Sequence, residues 1–335
     1  MSELKVGILG LGRVGTSFGL ALKRFSKSGG GKTTFQISGY DTASTNEKEA
    51  QKAGAIDRIE RTPDAVVAEC DVVIIAMPYE DTKDTYRRIA HRLRDGVVIL
   101  DTSPIKRPSF EWNSQYLTEE HHVIGITPIC NPKYLMDTTD TALAASADYF
   151  DDGSFIITPA VDSVKEAVDL AYNFCALLGG KLRFLDPEEH DHLLAKTEQL
   201  PQLLGVALYY HLMRQTSWRD TQWFTNPAFG SLTRPLKDKH PDAMRDAMLA
   251  NAETLASTLA SLIETLEEVR DSLRSQDTLT IEALMTETAE DYSKWINRRH
   301  ANDWDKELKP AKVENNGVMG FVFGQKIASR LTGKK

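Results

Sequence analysis

The chain has 335 residues, 41% of them hydrophobic, with a formal net charge of -8. That length allows one large or two ordinary domains with real cores, and the acidic balance argues against a nucleic-acid polyanion as partner. No apolar run approaches the ~20 residues of a membrane span, and Cys70, Cys130 and Cys175 are too scattered for a metal site or a disulfide framework,. With no secretory leader at the start, this usage fits a reducing cytoplasm.

The apolar run 4–9 reads as a buried strand,. Gly10-Leu11-Gly12-Arg13-Val14-Gly15 follows in G-x-G-x-x-G spacing, and residues 13–26 then read as a helix. This strand–turn–helix context is the one a dinucleotide-binding turn requires. Gly10 allows the tight turn, Gly12 lets backbone approach a pyrophosphate, and Gly15 lets the helix pack close to the strand. The helix start then offers N–H groups and a positive dipole end to the phosphates. Leu11, Arg13 and Val14 belong to the same cradle.

A polar loop, 26–34, precedes a strand over 35–40 that ends at Asp41. The loop contains Gly29-Gly30-Gly31-Lys32-Thr33-Thr34, which imitates the end of a phosphate-binding P-loop. It follows a helix rather than a strand, so it reads as a flexible connection. A carboxylate at Asp41 accepts hydrogen bonds from a ribose 2′-hydroxyl and repels a 2′-phosphate. NAD is therefore expected, with NADP as the alternative if Lys27 or Lys32 folds back.

Helices over 44–53, 63–69 and 80–94 alternate with strands near 56–59, 70–76 and 97–101. Met77 and Pro78 follow the fourth strand and Asp101 closes the fifth, so all three fall at the carboxyl ends, where open α/β sheets bind ligands. Strands near 122–126 and 154–158, a helix over 161–178 and a strand over 181–185 complete the alternation. The fold class expected is α/β, a Rossmann-type doubly wound parallel sheet over 1–186.

From Pro187 onward helical periodicity dominates, so 187–335 reads as an all-helical substrate and dimerisation domain with a C-terminal tail. Residues 188–214 read as a helix interrupted by Pro201, and 241–274 as the longest helix. Leu255, Leu259, Leu262, Leu266, Val269 and Leu273 repeat at four-and-three spacing. Such a stripe is a helix-packing seam, and a homodimer interface is the expectation it raises. Met319, Phe321, Val322 and Phe323 in the tail are expected to tuck onto the body.

From about residue 1 to 275 the chain resembles the prephenate/arogenate dehydrogenase family. Asp101-Thr102-Ser103-Pro104-Ile105-Lys106 is similar to its D-x-x-S-x-K turn, and Val123-Ile124-Gly125-Ile126-Thr127-Pro128 to its G-G-H-P strand end. Glu189-His190-Asp191 with Ala195, Leu200 and Pro201 resembles its H-D…A…S-H-L-P helix. Leu232-Thr233-Arg234, Met244-Arg245-Asp246 and Asn251 resemble its T-R…W-R-D…N segment. The resemblance implies a homodimer with a Rossmann domain and a helical dimerisation domain. It also implies oxidation of a ring hydroxyl by hydride transfer to nicotinamide, with loss of carboxylate, toward tyrosine biosynthesis.

Arg234 matches the arginine that holds a substrate carboxylate, a task suited to the guanidinium fork. Lys106 and Ser103 are further substrate-binding candidates. Three positions depart from the family. Thr127 stands where the catalytic histidine falls, Glu198 where the second active-site histidine falls, and Pro104 where the turn serine falls. A threonine can hold the reacting hydroxyl but is no base near neutral pH, and a positioned base is worth ~10²–10⁴-fold. Glu198, if desolvated and sharing a face with Asp191, or His190, is expected to take the proton instead. No metal is expected. The lost histidines leave two further readings open: an NAD(P)-dependent dehydrogenase of another carboxylated alcohol, and a non-catalytic NAD-binding regulator.

Overall fold

A computed structural model describes residues 2–28 and 33–303. Residues 29–32 of the glycine-rich stretch and the tail residues Met319, Phe321, Val322 and Phe323 lie outside the described residues. The chain divides into two compact units, the first running to His190 and the second beginning at Asp191.

The first unit is built on eight strands: β1 (Ser2–Leu9), β2 (Thr33–Tyr40), β3 (Arg58–Ile59), β4 (Val72–Ile75), β5 (Val98–Asp101), β6 (His122–Ile129), β7 (Ser154–Pro159) and β8 (Lys181–Phe184). They form one sheet in the order β3-β2-β1-β4-β5-β6-β7-β8. Between them run α1 (Arg13–Lys27), α2 (Ser44–Lys52), α3 (Pro63–Val67), α4 (Tyr79–Ile89), α5 (Lys106–Tyr116) and α6 (Lys165–Leu177). Alternate residues of one strand serve opposite faces. Val72 and Ile74 of β4 join one core with Phe18, Leu22 and Phe174, while Val73 and Ile75 join a second with Val66, Tyr86 and Ile89. Both faces of the sheet are thus covered, as in a doubly wound fold.

The expected parallel sheet needs one correction. β1 to β6 are mutually parallel, but β7 pairs antiparallel with β6, and β8 then runs parallel to β7. A parallel return needs a crossover that lays a helix on the sheet. Between β6 and β7 the chain forms only two short 3-10 turns, at Pro132–Tyr134 and Ala142–Ala144. The helix α5, which follows the Asp101 turn, was not foreseen from sequence.

The helical part begins with α7 (Pro187–Leu194) and continues as α8 (Leu200–Met213), α9 (Trp218–Thr221), α10 (Pro227–Thr233), α11 (Pro235–Asp238), α12 (Pro241–Ala250), α13 (Ala252–Arg274) and α14 (Thr278–Ala301). Pro201 does not break the 188–214 run. A π-helical turn, Ala195–Gln199, carries the chain into α8, and its wider winding absorbs the missing proline N–H. The single helix expected over 241–274 is divided at Asn251, which leaves the helical region at φ -124, ψ 28. No helix among the described residues is long and apolar enough to cross a membrane.

Candidate active site

In register, Leu9 of β1 pairs with Ile75 of β4, Ile75 with Asp101 of β5, and Asp101 with Gly125 of β6. The residues just beyond that line therefore share one edge: the glycine turn after β1, Met77 and Pro78 after β4, Thr102 and Ser103 after β5, and Thr127 on β6. Three strand spacings, roughly 14 Å of sheet edge, separate the glycine turn from Thr127.

The turn has the shape its spacing demands. Gly10 sits at φ +92, and a Cβ there would fall 2.2 Å from the Ala76 carbonyl oxygen. A Cβ at Gly15 would fall 1.9 Å from the Gly10 carbonyl oxygen, so α1 can meet β1 this closely only with glycine. Gly12 makes no side-chain cap, and α1 has no acidic residue in its first turn. No carboxylate of the helix itself therefore offsets its first N–H groups. Asp41 is fixed beside them, its carboxylate accepting from Leu11 N–H at 2.6 Å and from Ala43 N–H at 2.7 Å. A glycine-cleared backbone beside a carboxylate at the end of β2 fits the phosphates and ribose of a dinucleotide.

At the other end of the edge, Thr127 Oγ1 lies 2.7 Å from His190 Nε2. Thr127 is half-buried and His190 is buried. Two of the three expected catalytic residues are thereby joined directly, across 63 positions of sequence.

Other candidates are placed differently. Lys106 is fully buried, and its ammonium donates to the carbonyl oxygens of Ser103 at 2.7 Å, Ile126 at 2.9 Å and Asp101 at 3.1 Å. An ammonium has three donors, so Lys106 ties β5 to β6 and has none left for a substrate carboxylate. The Asp101 carboxylate is also interior. It accepts from Tyr86 O–H at 2.8 Å and Ser103 N–H at 2.7 Å, so it closes the turn instead of meeting a cofactor. Ser103 is buried in the same turn, its hydroxyl without a hydrogen-bond partner among the described residues.

Glu198 is exposed and accepts from Gln202 Nε2 at 3.1 Å, whereas Asp191 is buried. The π-helical turn between them adds a residue to the winding, so the expected shared face does not form, and among the described residues nothing buries Glu198. Counting back from Leu200-Pro201 also puts the second family histidine on Gln199, not on Glu198. Gln199 is buried, donates to the Ala247 carbonyl at 2.8 Å and accepts from Asn251 Nδ2 at 2.9 Å. Asn251 Nδ2 also donates to the Asp191 carbonyl at 2.8 Å.

In the second unit Arg234 donates through Nε to Asp238 at 2.7 Å. Arg13, expected in the cofactor cradle, sends its guanidinium away from it, to the Asp137 and Thr139 carbonyls at 2.7 and 3.2 Å. That contact was missed. A buried arginine needs acceptors, and Asp137 and Asp140 are the signal that was available.

The edge and the turn define a Rossmann-type dinucleotide-binding oxidoreductase. Residues 19–184 match a family model for the prephenate dehydrogenase nucleotide-binding domain, and 186–287 match that for the prephenate dehydrogenase dimerization domain. The chain belongs to the prephenate dehydrogenase family and carries that family's nucleotide-binding domain; its named relatives are dehydrogenases. A cyclohexadienyl dehydrogenase of Zymomonas mobilis is 25% identical, over 81% of this chain and 89% of its own. A prephenate dehydrogenase of Bacillus subtilis is 26% identical, over 87% and 76%. The fold resembles that of Aquifex aeolicus prephenate dehydrogenase in complex with hydroxyphenyl propionate and NAD+. There the TM-score is 0.73 at 19% identity, covering 88% of this chain and 99% of that one.

Proposed function

We propose that this protein oxidises a cyclohexadienol carboxylate of the prephenate or arogenate type, with NAD as hydride acceptor and loss of the ring carboxylate, toward tyrosine. The observation that carries the reading is the Thr127–His190 pair, 2.7 Å apart on the edge that also bears the glycine turn. When bound, the nicotinamide supplies the acceptor for the substrate's hydride. The chain's residues handle the proton. With Nε2 of His190 unprotonated, the Thr127 hydroxyl donates to it and its oxygen accepts from the substrate hydroxyl. As the ring hydroxyl becomes a carbonyl, its proton passes to Thr127 and that of Thr127 to His190. An imidazole is suited to this near neutral pH. Arg234 is the proposed holder of a substrate carboxylate: Asp238 takes its Nε, which leaves the terminal nitrogens for a second acceptor.

The working unit we propose is a homodimer formed through the helical part. The match to a dimerization domain supports this, as does the seam itself. Leu255 is the only buried residue of the 23 in α13, while Leu266 and Leu273 are 52% and 61% exposed. A helix that long is not held by one buried side chain. Three cysteines that are free thiols support a reducing cytoplasm as the place of work.

The test is NADH absorbance from purified protein with NAD and either prephenate or arogenate. No absorbance from either overturns the substrate assignment. Arg234→Ala is expected to raise KM for the acid and leave NAD binding unchanged; equal loss of both makes the arginine structural. A second reading, oxidation of another carboxylated alcohol without decarboxylation, is favoured by Thr127 and Pro104 standing where the family carries histidine and serine. Product mass separates the two.

A further inference from the structure

The start of α1 is not empty of negative charge. Arg13 N–H, the first helical donor after Gly12, points at Asp140 Oδ1, 3.2 Å away and 127 residues along the chain. A Cβ built on Gly12 would lie 3.2 Å from the same oxygen. The carboxylate therefore lies at the notch that the second glycine of a dinucleotide turn keeps open for a pyrophosphate. We propose that Asp140 is an internal stand-in for the cofactor phosphate, and that NAD binds only by displacing it and the segment that carries it.

The segment is held where it is by built contacts. Arg13 is only 3% exposed. Its guanidinium lies 4.9 Å from the ring centres of both Tyr134 and Tyr149, a cation between two π faces. It hydrogen-bonds the Asp137 and Thr139 carbonyls and pairs with the Asp137 carboxylate at 3.0 Å. Further along, Ala142 N–H donates to Asn46 Oδ1 at 3.3 Å, and Ser146 N–H to Ser17 Oγ at 3.1 Å. Residues 134–146 are thus fastened to α1 and α2, the two helices that flank the cofactor edge. Within this fastened segment, Asp140 meets the Arg13 N–H at the helix start.

Two anions cannot share that N–H. A pyrophosphate oxygen on Arg13 N–H would stand within hydrogen-bond distance of where Asp140 Oδ1 now lies, and partly buried like charges are poorly screened by salt. Part of the intrinsic affinity for NAD is therefore spent on releasing Asp140, and the measured Kd is weakened by the fraction of molecules in which it is engaged. By linkage, bound NAD loosens residues 137–144 to the same degree. Asp41 differs in kind: it is bonded to Leu11 N–H and stands at the end of β2, where such a turn takes a ribose hydroxyl, not a phosphate.

This inference rests on NAD as the cofactor but not on the identity of the substrate, so the test is a binding one. Calorimetry with NAD on the full chain compares wild type with Asp140→Asn and Asp140→Ala. Helix-terminus charge effects of this size predict an NAD Kd lower by about three- to tenfold in both variants, with inorganic pyrophosphate, used as a probe, following the same order. Deuterium uptake at 137–144 is expected to rise when NAD is added to wild type. NAD binding by the variants but not by wild type supports the proposal. Equal affinities overturn it, and weaker binding by the variants makes Asp140 a cofactor ligand instead. Absence of NAD binding by all three overturns the cofactor reading along with it.

Discussion

Thr127 Oγ1 and His190 Nε2 stand 2.7 Å apart, one near the end of β6 and the other on α7, where the sheet unit ends. A hydroxyl alone is no base near neutral pH, and a buried imidazole alone does not reach a substrate. Joined, they form the proposed proton path, with half-buried Thr127 as its outer end.

Replacing either member should therefore break the path. His190→Gln and Thr127→Val are each expected to lower kcat about 100-fold, the usual worth of a positioned base, with little change in NAD affinity. Thr127→Ser, which keeps the hydroxyl, should retain most of the rate. A pH profile of kcat checks the assignment: its acidic limb, set by His190 protonation, should vanish in His190→Gln. An unchanged limb would remove His190 from the chemistry.

Gly15→Ala tests the closeness of α1 to β1. The added methyl would lie 1.9 Å from the Gly10 carbonyl oxygen, and backbone on both sides cannot rotate out of the way as a side chain can. Overpacking of this kind costs about 1–3 kcal/mol. Thermal melting should show the loss and calorimetry should show weakened NAD binding, since the turn must open to admit the methyl.

Lys106→Met distinguishes a tether from a substrate ligand. It leaves three carbonyl oxygens, those of Asp101, Ser103 and Ile126, without their donor. Loss of charged hydrogen bonds to buried acceptors is expected to cost about 3 kcal/mol, read as a lower denaturant midpoint. KM for the acid substrate should move little. A large rise in KM at unchanged stability would restore Lys106 to the binding site.

Acid should loosen the segment between β6 and β7 through Asp148. Burial pushes this carboxyl up, but hydrogen bonds from Lys133, Ser146 and Tyr134 outweigh it, and its pKa ends well below the usual carboxylate range. A depressed carboxylate stabilises the fold above its unfolded pKa of about 4 and loses that contribution as pH falls from there toward the folded value. Asp148→Asn is thus expected to lower Tm at neutral pH, and the gap from wild type should narrow below about pH 4. A gap independent of pH would mean the charge of Asp148 contributes nothing.

What could be read from the chain alone was whatever depends on near neighbours. The glycine turn is legible because Gly10, Gly12 and Gly15 act within one strand–turn–helix, and Asp41 because it ends the next strand. The buried strands are legible because Val72 to Ile75 are apolar on both faces. Residues 241–274 read as one helix, and the break at Asn251 did not show, because Asn251 leaves the helix to bond Asp191 and Gln199, more than 50 positions away. The same holds for the reversed direction of β7, for Lys106 bound to carbonyls of two strands, and for Asp140 at the start of α1. Hydrogen bonds and buried charges take whatever partner the packed chain brings within 3 Å, and periodicity carries no record of which partner that is. The amino-acid order by itself determined the cofactor turn and the alternating sheet. Only tertiary packing decided that a threonine meets a histidine at its edge and that a carboxylate from a distant loop occupies the notch.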